Sequence, residues 1–329
     1  MKLSIITVTY NSNEEIASLL QSLSKVVLHN GLNVETLIWD NASHDGTATS
    51  LPQFLSRYPE LRISLSLNQQ NVGLSKALNE ELSRATGDLI LFCNPDVTLN
   101  QTFLGLLEFV GSHPRYGAVP EFFNLDGSIQ RITHRRLSTT RKILVDFTIF
   151  GRYTSKIFPW IDDDYHYKDL ARFSLPWKIE QPGGSCLLMS RQDVMRLTNS
   201  KSFYDEQFPV FWNDVDMAMR ARTKGISFAL VPTVSVYHSL GHSVRRIDKD
   251  FSMMLFYSSH GLVGFARKWG LPVTTIQSVL FLDAVLAIGI QILTRIKNRR
   301  SSSKTIREKV EAAKNVTRTI LLKYRCSLQ

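Results

Sequence analysis

The chain has 329 residues, 43% of them hydrophobic and 21% charged, and its 39 lysines and arginines outnumber its 29 acids to give a net charge of +10. This length predicts about two domains, and the composition excludes a disordered or a fibrous protein. The charge is uneven, because residues 1–240 carry 23 basic and 24 acidic side chains whereas residues 241–329 carry 16 and 5. The basic excess therefore lies in the C-terminal part and favours a local contact with an anionic surface.

The cysteines and the N-terminal segment bear on the compartment. Cys93, Cys186 and Cys326 are widely separated and form no CxxC pair, which argues against a disulfide framework or a zinc cluster and favours a reducing compartment. The apolar run at residues 3–8 is too short for the core of a signal peptide and is interpreted as a first strand. We therefore expect a cytoplasmic protein.

Strand and helix patterns alternate over the first hundred residues. Continuous apolar, β-branched runs predict strands at 3–9, 34–39, 62–67 and 88–93, and helical periodicity follows at about 13–23 and 74–84. This alternation predicts a doubly wound, mainly parallel sheet flanked by helices. Ligands bind such sheets beyond the carboxyl ends of the strands. Polar clusters follow three of the predicted strands, at 9–11, 40–45 and 94–96.

The segment from about 120 to 180 is irregular and rich in aromatic and charged residues, so we expect loops and short helices there. Within it, Arg131, His134 and Arg135 could meet a phosphate group or form solvated surface. Regular patterns return with a strand at 186–189, helices from about 191 and 214, and closing strands at 227–231 and 234–237.

The C-terminal part contains one long apolar segment. Residues 269–294 carry a single charge, Asp283, and a bilayer span needs about 20 apolar residues. A central carboxylate costs about 3 kcal/mol in a membrane, so a buried helix, a span and a helix lying in the membrane interface all stay open. Basic residues follow the segment from Arg295 onward, and each is attracted to anionic lipid by about 1 kcal/mol. These residues favour the interface.

We therefore predict two domains, a catalytic α/β domain at 1–245 and a basic, partly apolar helical extension at 246–329 that associates with the membrane surface.

Motifs of several enzyme classes are missing from the sequence. No GxGxxG follows the first strand, and the chain has neither GxxxxGK[ST] nor GxSxG, which disfavours dinucleotide-dependent dehydrogenases, P-loop NTPases and α/β-hydrolases. What the chain offers is a set of carboxylates and histidines after predicted strands: Asp40, Asp45, Asp96, Asp214, Asp216, His238 and His242. Such ligands suit Mg²⁺ or Mn²⁺, which usually serve a phosphate group in a nucleotide-binding domain. Taken singly, each residue could equally form a turn, cap a helix or be a buried structural histidine.

The order of these residues resembles glycosyltransferase family 2, the inverting nucleotide-sugar transferases with the GT-A fold, over residues 3–245. The matching blocks are VTYNS at 8–12, WDNASHDGT at 39–47, NVGL at 71–74, NPD at 94–96, EQPGGS at 180–185, FPVFWNDVD at 208–216 and HSLGHSV at 238–244. The sequence is most similar to the rhamnosyltransferase-like members that build bacterial surface polysaccharides.

The resemblance implies a role for each matching residue. The residues that would hold the nucleotide-sugar donor are Val8, Tyr10, Asn11, Asp40, Asn71, Asn94 and Asp96. Asp96 and His238 match the ligands of a Mg²⁺ or Mn²⁺ ion on the diphosphate, and Asp214 matches the catalytic base. The residues that would contact the acceptor or support the site are Asn213, Asp216, Gly184 and His242.

Two positions depart from the family pattern. Asn94 stands where the family usually has the first acid of Asp-x-Asp, which leaves Asp96 as the main carboxylate. Asn213 stands where a glutamate usually precedes the base. This substitution removes a negative charge beside Asp214 and puts in doubt the acceptor contact that a glutamate would make.

The expected function is that of a metal-dependent inverting transferase on the inner face of the cell membrane. It would pass one sugar, with L-rhamnose from dTDP-rhamnose as the expected donor, to a lipid-linked or polysaccharide acceptor. The same fold could use another donor, such as a UDP-hexose or a galactofuranose nucleotide, or could serve as a non-catalytic nucleotide-sugar-binding scaffold. Nucleic-acid binding by the tail is disfavoured, because Phe281 and Tyr324 are the only aromatic residues after Trp269.

Overall fold

The computed structural model describes residues 1–130, 133–148, 151, 176–198, 202–239 and 251–297. The chain divides into two compact units, one of Met1–Leu137 with His166–Arg246 and one of Ser138–Tyr165 with Ile247–Gln329. The predicted boundary after residue 245 stays a prediction.

The first unit contains a nine-stranded sheet. Its strands are β1 (Lys2–Thr9), β2 (Asn33–Asp40), β3 (Ile63–Leu67), β4 (Leu89–Cys93), β5 (Val97–Thr98), β6 (Tyr116–Phe123), β7 (Trp177–Ile179), β8 (Cys186–Ser190) and β9 (Ser227–His238). Its helices are α1 (Asn13–Asn30), α2 (Thr47–Arg57), α3 (Leu74–Arg84), α4 (Leu104–Ser112), α6 (Arg191–Leu197) and α7 (Asn213–Thr223), with 3-10 turns at Pro59–Leu61 and Gln101–Phe103. The second unit contains α5 (Thr140–Phe147), α8 (Phe251–Lys268) and α9 (Val273–Lys297).

The strand order is β3-β2-β1-β4-β8-β6-β9-β5, with β7 also paired to β9. Strands β1 to β4 pair in parallel, as the alternating strands and helices of the first hundred residues predict. Strand β8 enters antiparallel between β4 and β6, and β5 and β7 pair antiparallel to β9. The sheet is therefore mixed, with a parallel half formed by β1 to β4.

Apolar clusters cover both faces of this sheet, which explains why its central strands lack a polar face. On one face, α1 buries Ile16, Leu19 and Leu23 against the sheet. On the other face, side chains of α3, α6 and α7 pack with those of β4 and β8. The α/β class predicted from the sequence is confirmed by this architecture.

The two predicted closing strands form one strand, β9. Its pairing with β6 passes from Pro120 opposite Val231 to Glu121 opposite Ser235, so three residues of β9 bulge out of the ladder. Pro232 lies in this bulge, where the missing N–H of a proline costs no ladder hydrogen bond. The proline therefore interrupts the sequence pattern without ending the strand.

Helix α9 covers most of the apolar segment at 269–294. Among the described residues, the helices do not combine the length and the hydropathy that crossing a bilayer requires. Helix α9 also exposes an apolar stripe, in which Phe281, Leu282, Val285 and Leu286 are 38%, 64%, 51% and 43% exposed.

Candidate active site

The carboxyl ends of β1 and β2 form one tightly bonded loop pair. Thr9 lies opposite Asp40 in the parallel ladder, and the Asp40 carboxylate is fully buried. Its oxygens accept hydrogen bonds from Thr9 Oγ1 at 2.9 Å, from the Ser43 N–H at 3.0 Å and from Ser43 Oγ at 2.6 Å. Asp40 thus shapes the loop in the manner of an Asx turn, and any contact with a nucleotide stays a prediction.

The other predicted nucleotide residues surround these loops. Asn11 has a positive φ of 52° and ties the loops together, because its N–H donates to Ser43 Oγ at 2.8 Å and its Oδ1 accepts from the His44 N–H at 2.7 Å. Val8 and Tyr10 are half-buried on either side of Thr9. Asn71 is exposed and its Oδ1 accepts from Asn41 Nδ2 at 2.8 Å. Hydrogen bonds thus join the polar loops that follow β1 and β2 and connect them to Asn71.

The predicted metal ligands lie against each other. Asp96 Oδ1 and His238 Nε2 are 3.3 Å apart, and both side chains are buried. The backbone fixes this pair, since Val97 pairs with His238 in the sheet and the Ser239 N–H donates to the Asp96 carbonyl at 3.1 Å. Within the described ranges, no group of three or more His, Cys, Asp or Glu side chains could hold a metal ion.

Asn94 connects this pair to the segment that carries Gly184. Its N–H donates to the Ser185 carbonyl at 2.8 Å and its Nδ2 donates to Ser185 Oγ at 3.1 Å. Gly184 in turn borders Asp214, because a Cβ added to Gly184 would lie 3.7 Å from the Asp214 Cβ. Neighbouring contacts therefore lead from the Asp96 segment to Asp214.

Asp214 lies in the first turn of α7 and its carboxylate is partly exposed. Arg135 Nη2 lies 3.5 Å from its Oδ2, and Gln181 Nε2 donates to the same oxygen at 3.3 Å. Arg135 and Gln181 are themselves joined by a pair of backbone hydrogen bonds, of 3.0 and 2.9 Å. This backbone pair places the Arg135 guanidinium and the Gln181 amide at the same oxygen of the Asp214 carboxylate.

Arg135 and Gln181 were not predicted as contacts of the base. Arg135 lies in the irregular segment, where the sequence indicates only a phosphate contact or solvated surface, and Gln181 lies in the EQPGGS block, where the resemblance assigns it no role. The structure instead buries Gln181 completely and half-buries Arg135. Arg135 Nε and Gln181 Oε1 are buried without a hydrogen-bond partner. The ion pair between Arg135 and Asp214 is visible only in the tertiary structure.

His134 supports the segment that contains Gln181 and Gly183. Its Nδ1 accepts from the Gly183 N–H at 3.2 Å, and its Nε2 lies 3.2 Å from the Pro120 carbonyl. Burial lowers the pKa of His134 to about 4, with a smaller lowering by the charge of Arg135, although the bond to Pro120 acts in the opposite direction. The ring is therefore neutral at neutral pH and acts as a structural hydrogen-bonding group.

The remaining predicted residues of α7 have structural partners. Asn213 is buried, and its Oδ1 accepts from the Asp214 N–H at 2.9 Å. Asp216 is fully buried and forms an ion pair with Arg220 at 2.9 Å, a placement that suits support of the helix and gives no surface for an acceptor. His242 lies outside the described residues.

Burial raises the pKa of Tyr204, and the charge of Asp214 adds to that rise.

A doubly wound sheet with carboxylates and a histidine beyond its strand ends is typical of α/β proteins that bind a ligand at that edge. The model of glycosyl transferase family 2 matches residues 4–197, more than half of the chain. The chain therefore belongs to glycosyltransferase family 2.

Curated relatives agree with this assignment. The N-acetylglucosaminyl-diphospho-decaprenol L-rhamnosyltransferase of Mycobacterium tuberculosis is 28% identical over 257 residues, which cover 74% of this chain and 78% of the relative. The putative glycosyltransferase EpsE of Bacillus subtilis is 36% identical over 89 residues, which cover 27% of this chain and 31% of that protein. The predicted family and its rhamnosyltransferase-like subgroup are confirmed.

Solved structures share the fold. The mannosyltransferase PcManGT from Pyrobaculum calidifontis, in complex with GDP-Man and Mn²⁺, matches with a TM-score of 0.53 and 14% identity over 98% of this chain and 88% of that chain. GalNAc-T7 with UDP, GalNAc and Mn²⁺ matches with a TM-score of 0.54 and 14% identity over 72% of this chain, which spans only 43% of that longer chain. At this identity the likeness concerns the fold alone, and the predicted GT-A fold is confirmed.

Proposed function

We propose that the protein is an inverting glycosyltransferase in which Asp214 is the general base and Asp96 with His238 holds a divalent cation on the donor diphosphate. The observation that carries this proposal is the connection between the two centres. Asn94 and Ser185 join the Asp96 segment to Gly184, which borders Asp214. A base and a diphosphate site must both lie next to the anomeric carbon of one donor, and this connection supports that geometry.

The reaction is a single displacement. The acceptor hydroxyl oxygen forms a bond to the anomeric carbon as the bond from that carbon to the diphosphate oxygen breaks, and the hydroxyl proton passes to the Asp214 carboxylate. The N–H groups of Arg135 and Gln181 hold Oδ2 of this carboxylate. Because the Asp214 Oδ1 accepts from the Val215 N–H at 2.9 Å, the side chain is held at both oxygens.

The side chains of Asp96 and His238 suit the binding of a divalent cation. A carboxylate oxygen and an imidazole nitrogen 3.3 Å apart are ligands that Mg²⁺ and Mn²⁺ accept. Two protein ligands suffice when substrate phosphate and water complete the coordination, which is common for Mg²⁺. When bound, the cation would offset the negative charge that gathers on the departing diphosphate.

The relatives support a choice of donor and acceptor. The mycobacterial relative is named for L-rhamnose transfer to a diphospho-decaprenol-linked sugar, which supports dTDP-rhamnose and a lipid-linked acceptor for this chain. The UDP-bound and GDP-Man-bound neighbours share only the fold, so they support a nucleotide-sugar donor without naming its base.

The test is a transfer assay with a panel of nucleotide sugars, Mn²⁺ or Mg²⁺, and a short-chain diphospholipid-linked N-acetylglucosamine acceptor. We expect transfer with dTDP-rhamnose and a loss on adding a chelator that returning Mn²⁺ reverses. Asp96→Asn should lower transfer at least about 100-fold. Asp88→Asn is the matched control, because Asp88 is exposed and precedes β4 at the opposite end of the strand. Equal activity of the two variants would contradict the proposed metal site.

We also propose that α9 attaches the protein to the inner face of the cell membrane. Phe281 with Val285 and Leu282 with Leu286 are spaced four residues apart, so their exposed apolar side chains lie on neighbouring rows of the helix. Basic residues follow at the end of the helix. An apolar stripe followed by positive charge suits an anionic lipid interface.

Vesicle cosedimentation tests the attachment. Binding to phosphatidylglycerol vesicles should exceed binding to phosphatidylcholine vesicles, and the double variant Phe281→Ser, Leu282→Ser should lower it at least about tenfold through lost apolar burial. The matched control is Leu28→Ser, Leu55→Ser, which removes leucines that are 66% and 42% exposed in the first unit. Equal loss in both double variants would contradict a role for the α9 stripe.

A further inference from the structure

Gln130 is a buried amide in contact with the predicted metal ligand His238. Its side chain is 4% exposed, and its Oε1 lies 3.0 Å from His238 Nδ1. Its backbone N–H donates to the Phe122 carbonyl at 2.8 Å, which anchors the residue to the end of β6. The phenyl ring of Phe122 packs against the His238 ring with 5.5 Å between centroids. Gln130 is therefore held in place independently of its contact with the histidine.

The orientation of the Gln130 amide follows from its other partners. Its Nε2 donates to the main-chain carbonyl of His238 and to Asn124 Oδ1, the latter at 2.9 Å. The Asn124 amide is oriented in turn by Ser128, whose Oγ donates to Asp126 Oδ1 at 2.6 Å and therefore accepts from Asn124 Nδ2 at 2.8 Å. These partners of Nε2, and the Phe123 carbonyl 3.5 Å away, are oxygens that can only accept, so this atom must be the nitrogen of the amide. The carbonyl oxygen of Gln130 thus faces the imidazole.

This orientation decides which nitrogen of His238 can bind a metal. An amide oxygen accepts only, so the His238 Nδ1 must carry a hydrogen and donate it. In the neutral ring the lone pair then lies on Nε2, the atom 3.3 Å from Asp96 Oδ1. With Nδ1 engaged by Gln130, Nε2 is the ring nitrogen that could serve as a metal ligand together with Asp96 Oδ1.

We propose that Gln130 is a positioning residue that fixes His238 in the tautomer and orientation with Nε2 available to a divalent cation. The inference rests on the metal site of the proposed function. A ring without this acceptor is free to carry its hydrogen on Nε2 or to turn away from Asp96, and either change weakens metal binding. Gln130 itself touches neither the cation nor the donor.

Two variants separate this role from a merely structural one. Gln130→Leu and ionised Gln130→Glu both lose the donation from Nε2 to the His238 carbonyl and to Asn124, whereas only the glutamate still offers an oxygen to His238 Nδ1. The measurements are the Mn²⁺ dissociation constant from water-proton relaxation, with and without dTDP, and the ¹⁵N NMR signature of the His238 tautomer in the metal-free protein. Gln207→Leu is the control, because Gln207 is exposed.

We expect Gln130→Leu to weaken Mn²⁺ binding about 10- to 100-fold and to shift the His238 ring away from the Nδ1–H tautomer, whereas Gln130→Glu keeps both near native values. Equal weakening in both variants with an unchanged tautomer would overturn the proposal in favour of a structural role, as would native behaviour of Gln130→Leu. Asp96→Asn is measured in parallel. Undiminished Mn²⁺ binding by Asp96→Asn refutes the metal site and this inference together, whereas a loss there with native Gln130→Leu refutes this inference alone.

Discussion

The buried neutral His134 makes the active-site segment sensitive to acid. In the folded protein the pKa of His134 is lowered to about 4, whereas an unfolded histidine titrates near 6.5. Between these two pH values the unfolded state binds more protons than the folded state, so the free energy of unfolding falls as the pH falls. The stabilisation is complete above pH of about 6.5 and is lost as the pH drops toward about 4.

The size of this effect follows from the pKa difference. A shift from about 6.5 to about 4 corresponds to about 3 kcal/mol over the whole range, and about 2 kcal/mol of this should be lost between pH 8 and pH 5. Protonation also charges Nδ1, which accepts from the Gly183 N–H in the neutral ring. Acid should therefore release the segment that carries Gln181, which holds the proposed base.

Urea denaturation at pH 8 and pH 5 measures the effect with His134→Gln, which cannot titrate. The variant is expected to be less stable than the native protein at pH 8, and the difference should shrink by about 2 kcal/mol at pH 5. His29→Gln, which removes an exposed histidine from α1, is the control and should follow the native protein. A difference that does not change with pH, or an NMR titration of His134 with a midpoint near 6.5, would refute the reasoning.

Two further variants and one labelling experiment test the packing and the site. Gly73→Ala should lower the free energy of unfolding by about 1–3 kcal/mol in urea titrations, because Gly73 has φ 85° and ψ 161° and an added Cβ would lie 2.9 Å from a proline Cβ. The control is Gly111→Ala, whose added Cβ would have no atom within 4 Å and which should be neutral or slightly stabilising. Equal losses of stability in the two variants would refute the strain proposed at Gly73. Arg135→Gln should lower kcat about 100-fold with little change in donor affinity measured by calorimetry, because it removes the ion pair that holds the carboxylate of the proposed base Asp214. An unchanged kcat would show that Arg135 has no part in the mechanism. The hydrogen bond to Cys186 and burial raise the pKa of Cys93, and both thiols are buried, so iodoacetamide should label neither before unfolding. Labelling at Cys93 or Cys186 in the native protein, read by peptide mass spectrometry, would contradict this placement.

Local patterns were sufficient for the elements of the parallel half. The strands predicted at 34–39 and 88–93 lie within one residue of β2 and β4, because each has its own apolar run closed by polar residues. The antiparallel entry of β8 between β4 and β6 could not be predicted in this way. Pairing between strands that are distant in the chain leaves no periodic pattern in the sequence of either strand. The sequence therefore indicated a mainly parallel sheet, whereas the sheet in the structure is mixed.

The site was less accessible to sequence reasoning than the fold. Asp96 and His238 were paired through the family resemblance, since nothing in their local sequence indicates that they meet. Arg135 lies outside the matching blocks and Gln181 has no assigned role within its block, and their contact with Asp214 depends on a bridge between two segments that are distant in the sequence. The roles of all these residues stay predictions that kinetics must test.

The central claim is that one displacement at the anomeric carbon is driven by Asp214 as base. The most direct measurement is NMR of the anomeric centre in the product of a single turnover, with native protein and with Asp214→Asn at saturating donor. We predict a product of anomeric configuration opposite to that of the donor, and an Asp214→Asn variant that binds the donor but does not transfer the sugar. Retention of configuration, or near-native turnover by the variant, would contradict the account.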